Sequence, residues 1–207
     1  MSRATTDSTR RTIVLVEGET DELALRLAAR RLGRDLEAEA VSILPINGAH
    51  AINRVLRDLA AAEPRARLAG LYDEGEEDVI RTGLERAGYG PGLVDRSRLE
   101  AAGFFACVAD LEDELIRATG GADLSRLIEL EGDMQPWRTF QSQHAWRGRP
   151  QEQQFRRFIR SVSSRNSRYI RAIVGSIDLS LLPRPLRRVL EYVQTTESEL
   201  EEAPCHP

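Results

Sequence analysis

The stretch Ile13-Val14-Leu15-Val16-Glu17-Gly18-Glu19-Thr20-Asp21-Glu22-Leu23-Ala24 decides the fold. An apolar run rich in β-branched residues reads as a buried strand and ends in a glutamate. Gly18 marks a sharp turn, and a helix with acids in its first turn follows. Glu17 and Asp21 stand four apart across this strand-to-helix junction.

Working outward, the same pattern recurs. A first strand over 12–17 is followed by a helix over 20–32, which Gly33 closes. Residues 41–46 read as a second strand, with Pro45 near its end. The turn at Asn47–His50 leads into a helix over 49–62, stopped by Pro64. Residues 68–72 predict a third strand and 76–87 a third helix, closed by Gly88, with a loop over 89–92. Residues 103–108 predict a fourth strand, and 111–119 a helix. Strands alternating with helices of this length imply βαβ units, hence an α/β fold with a Rossmann-like parallel sheet of about four strands flanked by helices. Beyond Gly120-Gly121 no strand pattern remains. A short helix over 123–131, a long amphipathic one over 150–176 broken near Ser161–Ser164, and a helix over 183–194 predict a C-terminal helical appendage. The expected divisions are a disordered tail over 1–10, an α/β domain over 11–122, an Arg-rich helical subdomain over 123–195 and a disordered acidic tail over 196–207.

The 207 residues can bury a sizeable core, and 41% hydrophobic with 30% charged residues is ordinary for a soluble globular protein. No apolar run approaches the roughly 20 residues a membrane span needs, and the N-terminus is polar, so a cytoplasmic protein without membrane association is expected. The cysteines are Cys107, in an apolar run, and Cys205, in the tail, which argues against a disulfide framework or a zinc site. The net charge of −4 hides a segregation. Residues 137–190 hold 12 arginines against Glu152 and Asp178, a local +10, while the rest carries −14. This suggests a basic face for a polyanion, with Arg147, Arg149, Arg156, Arg157, Arg160, Arg165 and Arg168 as its candidates. An Arg-rich solvated helix face is the plainer alternative. There is no lysine, so every fixed side-chain cation is a guanidinium.

Two further acidic groups follow apolar runs. Asp73-Glu74 succeeds the third strand, and Asp110, Glu112, Asp113 and Glu114 succeed the fourth. Ligands of open parallel sheets bind at the carboxyl ends of the strands. Carboxylates gathered there suit Mg²⁺ or Mn²⁺, because hard cations take oxygen ligands. The candidate ligands are Glu17, Asp21, Asp73, Asp110 and Glu112. Glu19, Glu22, Glu74, Glu77, Asp113 and Glu114 read as solvated acids of first helical turns. His50 is a candidate contact at the end of the second strand. His144, Trp137, Phe140 and Trp146 form an aromatic segment that either stacks on bases or anchors the helices on the sheet.

Val16-Glu17-Gly18-x-x-Asp21, followed by Asp73, resembles the TOPRIM domain of topoisomerases, primases and related nucleases. Asp110-Leu111-Glu112-Asp113-Glu114-Leu115-Ile116, Phe155-Arg156-Arg157-Phe158-Ile159 and Ser163-Ser164-Arg165-Asn166-Ser167-Arg168-Tyr169 resemble the TOPRIM half of the overcoming-lysogenisation-defect (OLD) nucleases, over about 11–192. The resemblance implies cleavage or nicking of DNA by a two-metal mechanism. Glu17, Asp21 and Asp73 would hold one ion, and Asp110 and Glu112 would help hold a second. Arg165 or Arg168 would stabilise the phosphate. Members of that family usually join this half to an ATPase; the chain has no Gly-x-x-x-x-Gly-Lys-Ser/Thr loop, so a possible ATPase partner would act in trans. A homodimer would fit double-strand cutting. Two departures accompany it. The family's second acid after the third strand falls on Gly75, and the position of its catalytic lysine is taken by Asn166. They motivate the alternative of a catalytically weakened module that binds nucleic acid or a partner ATPase. Primer synthesis ranks lower, without a further nucleotide-handling domain, and so does topoisomerase activity, without a catalytic tyrosine module.

Overall fold

The computed structural model describes residues 11–89 and 92–194. The expected tails, 1–10 and 196–207, lie outside these residues, as do Gly90 and Pro91 of the expected loop. Four strands, β1 (Thr12–Val16), β2 (Val41–Pro45), β3 (Arg67–Asp73) and β4 (Phe104–Cys107), pair in the order β2-β1-β3-β4. All three pairings are parallel, with Leu15 opposite both Leu44 and Gly70, and Asp73 opposite Cys107. β1 is buried along its whole length because it has a strand on each side and helices on both faces, which is why its sequence is continuously apolar rather than alternating.

Alternate residues of the strands serve two separate cores. Val14, Val16, Leu71 and Phe105 face one, and Ile13, Leu15, Leu68 and Tyr72 face the other. Helices α2 (Ile52–Ala62), α3 (Glu77–Arg86) and α4 (Arg96–Ala101) close the second face through Ile52, Leu56, Ile80, Leu84 and Leu99. The first face is covered by α1 (Glu19–Arg31), α5 (Leu111–Thr119), α9 (Ser163–Ser176) and α10 (Arg184–Gln194), with α6 (Gly121–Leu130), α7 (Met134–Ser142) and α8 (Gln151–Arg160) packed around them. Phe155, Tyr169, Ile173, Leu186 and Val189 thus share one continuous core with the sheet residues Val14 and Phe105.

Sheet and helices lie close to the ranges expected from the sequence, and α8 and α9 separate at Ser161–Val162. The fold also contains α4 and α7, which were not expected. Six residues of α4 are too few to show a helical period. Its signal is Asp95, whose side chain caps the helix by accepting from Arg98 N at 3.0 Å. In α7, Pro136 falls in the first turn, where a missing N–H costs no intrahelical bond. The role given to Gly18 needs correcting. Its φ is −147° and a Cβ would meet nothing within 4 Å, so the β1–α1 junction does not depend on glycine there. Gly33, at φ +75°, does close α1 in the left-handed conformation. Among the described residues no helix is long and apolar enough to cross a membrane.

Candidate metal centre

The strand order reverses between β1 and β3, and at that switch point the ends of the strands open a crevice. Glu17 leaves the end of β1, Asp73 is the last residue of β3, and Asp21 lies in the first turn of α1. β4 adds Asp110 and Glu112 from the other side. Here Ala109 takes a left-handed φ of +66°, turning the chain so that Asp110 caps α5 by accepting from Asp113 N at 2.8 Å. The result is a cleft of about 180 Å³ lined by Glu17, Asp21, Asp73, Asp110 and Glu112, with Thr20 and Arg160. All five acids singled out in the sequence therefore meet in one place.

Each acid has a distinct environment. Asp21 accepts from Gly18 N at 3.0 Å through Oδ2, the reach-back half of a capping box, so one of its oxygens serves the helix start. Burial pushes its carboxyl up to about 6. The Gly18 bond opposes that rise, while the charges of Glu17, Glu112 and Asp110 add to it. Asp73 is raised as well, by burial first and then by the charge of Glu17 and a hydrogen bond to it. Two carboxyls in contact hold a proton between them more readily than two charges. Glu112 is buried and accepts from Asn166 Nδ2 at 2.6 Å through Oε1. Its Oε2 is buried without a hydrogen bond, facing Arg160 Nε at 3.6 Å. Asp110 Oδ2 accepts from Arg156 and, at 3.0 Å, from Arg160 Nη1.

Crowded carboxylates with raised proton affinity fit a hard dication, whose charge would relieve the repulsion. The side chains as they stand bond to their neighbours instead, and among the described residues no three Asp, Glu, His or Cys side chains already surround a common point. Glu74 and Glu77 do not compensate for Gly75. Both turn to Arg96, at 2.7 and 2.8 Å, and Tyr72 Oη donates to Glu77 at 3.2 Å. Gly75 has open space beside it.

The arginines divide sharply. Arg160 reaches the cleft and Arg156 joins it on Asp110. Arg165 and Arg168, expected at the phosphate, bond to Asp133 instead, Arg165 Nε at 3.4 Å, and Arg168 also meets Glu131 at 3.1 Å. Arg165 lies over the Phe158 ring at 4.2 Å from its centroid. Arg147 and Arg149 donate to the carbonyls of Ser142 and Ala145, at 3.0 and 2.9 Å, and Arg157 is exposed. The cleft's guanidinium had no sequence signal separating it from its neighbours. One turn of helix puts Arg156 and Arg160 on the α5 side of α8, and only the packing of that helix says which side is which.

His50 is exposed on a 3-10 turn over Ala49–Ala51 and is not one of the cleft's lining residues, and His144 is exposed. Trp137 is buried, stacks on Phe140 at 5.9 Å, and meets Phe158 edge-on at 5.2 Å. Trp146 stacks on Phe140 at 5.3 Å. These rings pack on one another and anchor the loop before α8, where buried Gln154 also donates to Trp146 O at 2.8 Å. Cys107 is buried in the core, which pushes its thiol well above the ordinary range.

Residues 10–63 match the family model described as "Overcoming lysogenization defect protein-like, TOPRIM domain". The fold is similar to that of the C-terminal region of the Burkholderia pseudomallei OLD protein, with a TM-score of 0.66 at 18% identity, covering 89% of this chain and 97% of that one. It is equally similar to the C-terminal region of the Xanthomonas campestris pv. campestris OLD protein, with a TM-score of 0.66 at 19% identity over 89% of this chain and 95% of that one. No curated protein matches the chain significantly in sequence. The β1–α1 stretch that supplies Glu17 and Asp21 therefore lies within the residues that match an OLD-like TOPRIM domain model, and the chain has a fold similar to that of OLD C-terminal regions.

Proposed function

We propose that the chain is a divalent-metal-dependent nuclease module that cleaves or nicks DNA phosphodiester bonds. The observation that supports this reading is the convergence of five strand-end carboxylates on one cleft at the switch point of the sheet. Glu17, Asp21 and Asp73 would hold Mg²⁺ or Mn²⁺, which when bound activates a water and offsets charge on the phosphate. Arg160 places fixed positive charge at the rim of the same cleft, where a scissile phosphate would be held. Arg147, Arg149 and Arg157 present further guanidiniums toward solvent for backbone phosphates. Arg165 and Arg168 hold α9 through Asp133, so their contribution is positional.

In this reading residues 11–122 form the metal-binding α/β unit, and the helices of 123–195 both cover the sheet and supply the basic surface. DNA is the substrate, an ATPase module is the partner that the similarity to OLD C-terminal regions suggests, and a homodimer would pair two clefts for double-strand cutting. Gly75 favours a second reading, a catalytically weakened module that binds nucleic acid, because Glu74 and Glu77 turn to Arg96 and leave its position open.

The deciding experiment incubates supercoiled plasmid with the protein and Mn²⁺, beside Glu17→Ala and Asp73→Ala. Nicked or linear product that both substitutions abolish is the expected result. Plasmid retained on the protein but never cut would select the weakened module. Equal cutting by the variants would remove the cleft from the chemistry.

A further inference from the structure

We infer that the cleft holds a single divalent cation, on the Glu17, Asp21 and Asp73 side, and that the guanidiniums of Arg156 and Arg160 stand as the second cation on the Asp110 and Glu112 side. The inference rests on the metal-dependent reading above and goes beyond it, by giving the two halves of the cleft different chemistry.

Both oxygens of Asp110 are engaged. Its Oδ1 accepts the α5 cap bond from Asp113 N at 2.8 Å, and its Oδ2 accepts from both Arg156 and Arg160, the latter at 3.0 Å. The neighbouring acids are matched in the same way. Arg156 Nη1 lies 3.9 Å from Asp113 Oδ1, and Arg160 Nε lies 3.6 Å from Glu112 Oε2, while Glu112 Oε1 takes Asn166. Two guanidiniums thus sit against the carboxylates of Asp110 and Glu112, neutralising them. A dication entering there would displace charge-assisted hydrogen bonds and meet two like charges at short range.

The other half is the reverse. Among the described residues, Glu17, Asp21 and Asp73 have no arginine ion pair; Asp21 accepts only from Gly18 N at 3.0 Å, and Asp73 and Glu17 bond to each other. This half holds three carboxylates, a small acidic set, and Mg²⁺ is typically bound through one or two carboxylates together with waters or phosphate oxygens. The asymmetry also accounts for the missing lysine. Asn166 holds Glu112 in place, and the fixed charge that a cation or lysine would otherwise bring comes from α8.

Isothermal titration of the full chain with MnCl₂ tests this without reference to activity. The wild type should take up one ion. Asp110→Ser, which keeps a side-chain oxygen to cap α5, should also take up one, with affinity within about threefold, below the 10–100-fold typical even of an outer-shell partner. Glu17→Gln should lose the ion. The double variant R156M/R160M, checked for folding by circular dichroism, should gain a second ion on the freed acids. Two ions in the wild type, a tenfold or greater loss in Asp110→Ser, or a folded double variant that still takes one ion would each overturn the inference. Absence of any Mn²⁺ uptake by the wild type would instead overturn the metal-dependent reading on which it stands.

Discussion

Asn166 Nδ2 donates to Glu112 Oε1 at 2.6 Å, joining α9 to the first turn of α5 across 54 residues of sequence. This bond ties the helical layer directly to the acidic cleft. It is also the contact that keeps one oxygen of a buried glutamate satisfied while the other faces Arg160.

Replacing Asn166 by Ala removes the donor to a buried, charged acceptor. The expected loss is about 1.5–3 kcal/mol, the range for hydrogen bonds to charged groups. Urea unfolding of the metal-free protein measures it. A loss within error of zero would mean that the contact does not hold Glu112.

Stability of the metal-free protein should fall as pH rises. The Asp21 carboxyl titrates near its ordinary 3.8 in the unfolded chain but at about 6 in the fold, and Asp73 is displaced in the same direction. Between those values the folded state binds more protons than the unfolded state, so raising the pH through 6 favours unfolding. Glu100 and Asp178 are shifted downward, by hydrogen bonds to Arg184 and Ser180, so they titrate below this window. With EDTA present, Tm should decline from pH 5 to pH 8, and Asp73→Asn should flatten the decline. Saturating Mn²⁺ should raise Tm more at pH 8 than at pH 5.5. A metal-free Tm that climbs toward pH 8 would contradict the crowding of charges in the cleft.

Asp133 is a positioning residue for α9. It is buried and accepts from Arg168 and, at 3.2 Å, from Tyr169 Oη, with Arg165 Nε at 3.4 Å. An exposed pair is worth up to about 1 kcal/mol and breaking a fully buried one costs 3–5, so Asp133→Ala should cost about 2–3 kcal/mol. Arg165→Ala and Arg168→Ala should likewise lower Tm and leave Mn²⁺ affinity unchanged. Loss of Mn²⁺ binding in either arginine variant would place these guanidiniums at the cleft after all.

Ala109 carries backbone strain beside Asp110. A left-handed φ of +66° costs an L-residue roughly 1–2 kcal/mol, whereas glycine gives back about 0.5–1 in unfolded-state entropy. Ala109→Gly should therefore raise stability by about 0.5–1 kcal/mol in urea unfolding. A destabilised variant would show that the Ala109 methyl group contributes packing that outweighs the strain.

Much of the sheet was readable because its signals are local. The continuous apolar run of β1 reports burial on both faces, and Gly33 and Pro64 punctuate helices where the chain itself requires it. The five acids of the cleft were readable for the same reason, since each lies at the end of a strand or within the turn that follows it, and parallel strands bring their carboxyl ends to one edge. The short α4 and the proline-bearing α7 left too little periodicity to be seen. The arginines were the hardest case. Seven guanidiniums of identical chemistry lie between residues 147 and 168, and nothing along the chain distinguishes Arg160, at the cleft, from Arg165, stacked on Phe158 and bonded to Asp133.

The order of residues alone determined the parallel α/β architecture and which carboxylates share a rim, because strand burial, helix punctuation and strand-end position are properties of short contiguous segments. Which cation meets which carboxylate was decided only by tertiary structure. Glu17, Asp21 and Asp73 have no arginine ion pair among the described residues, while Asp110 and Glu112 are met by Arg156 and Arg160. That choice depends on the rotation and docking of α8 and α9 against α5, set by the packing of Phe155, Phe158 and Tyr169, and guanidinium chemistry offers no local preference for one partner over another.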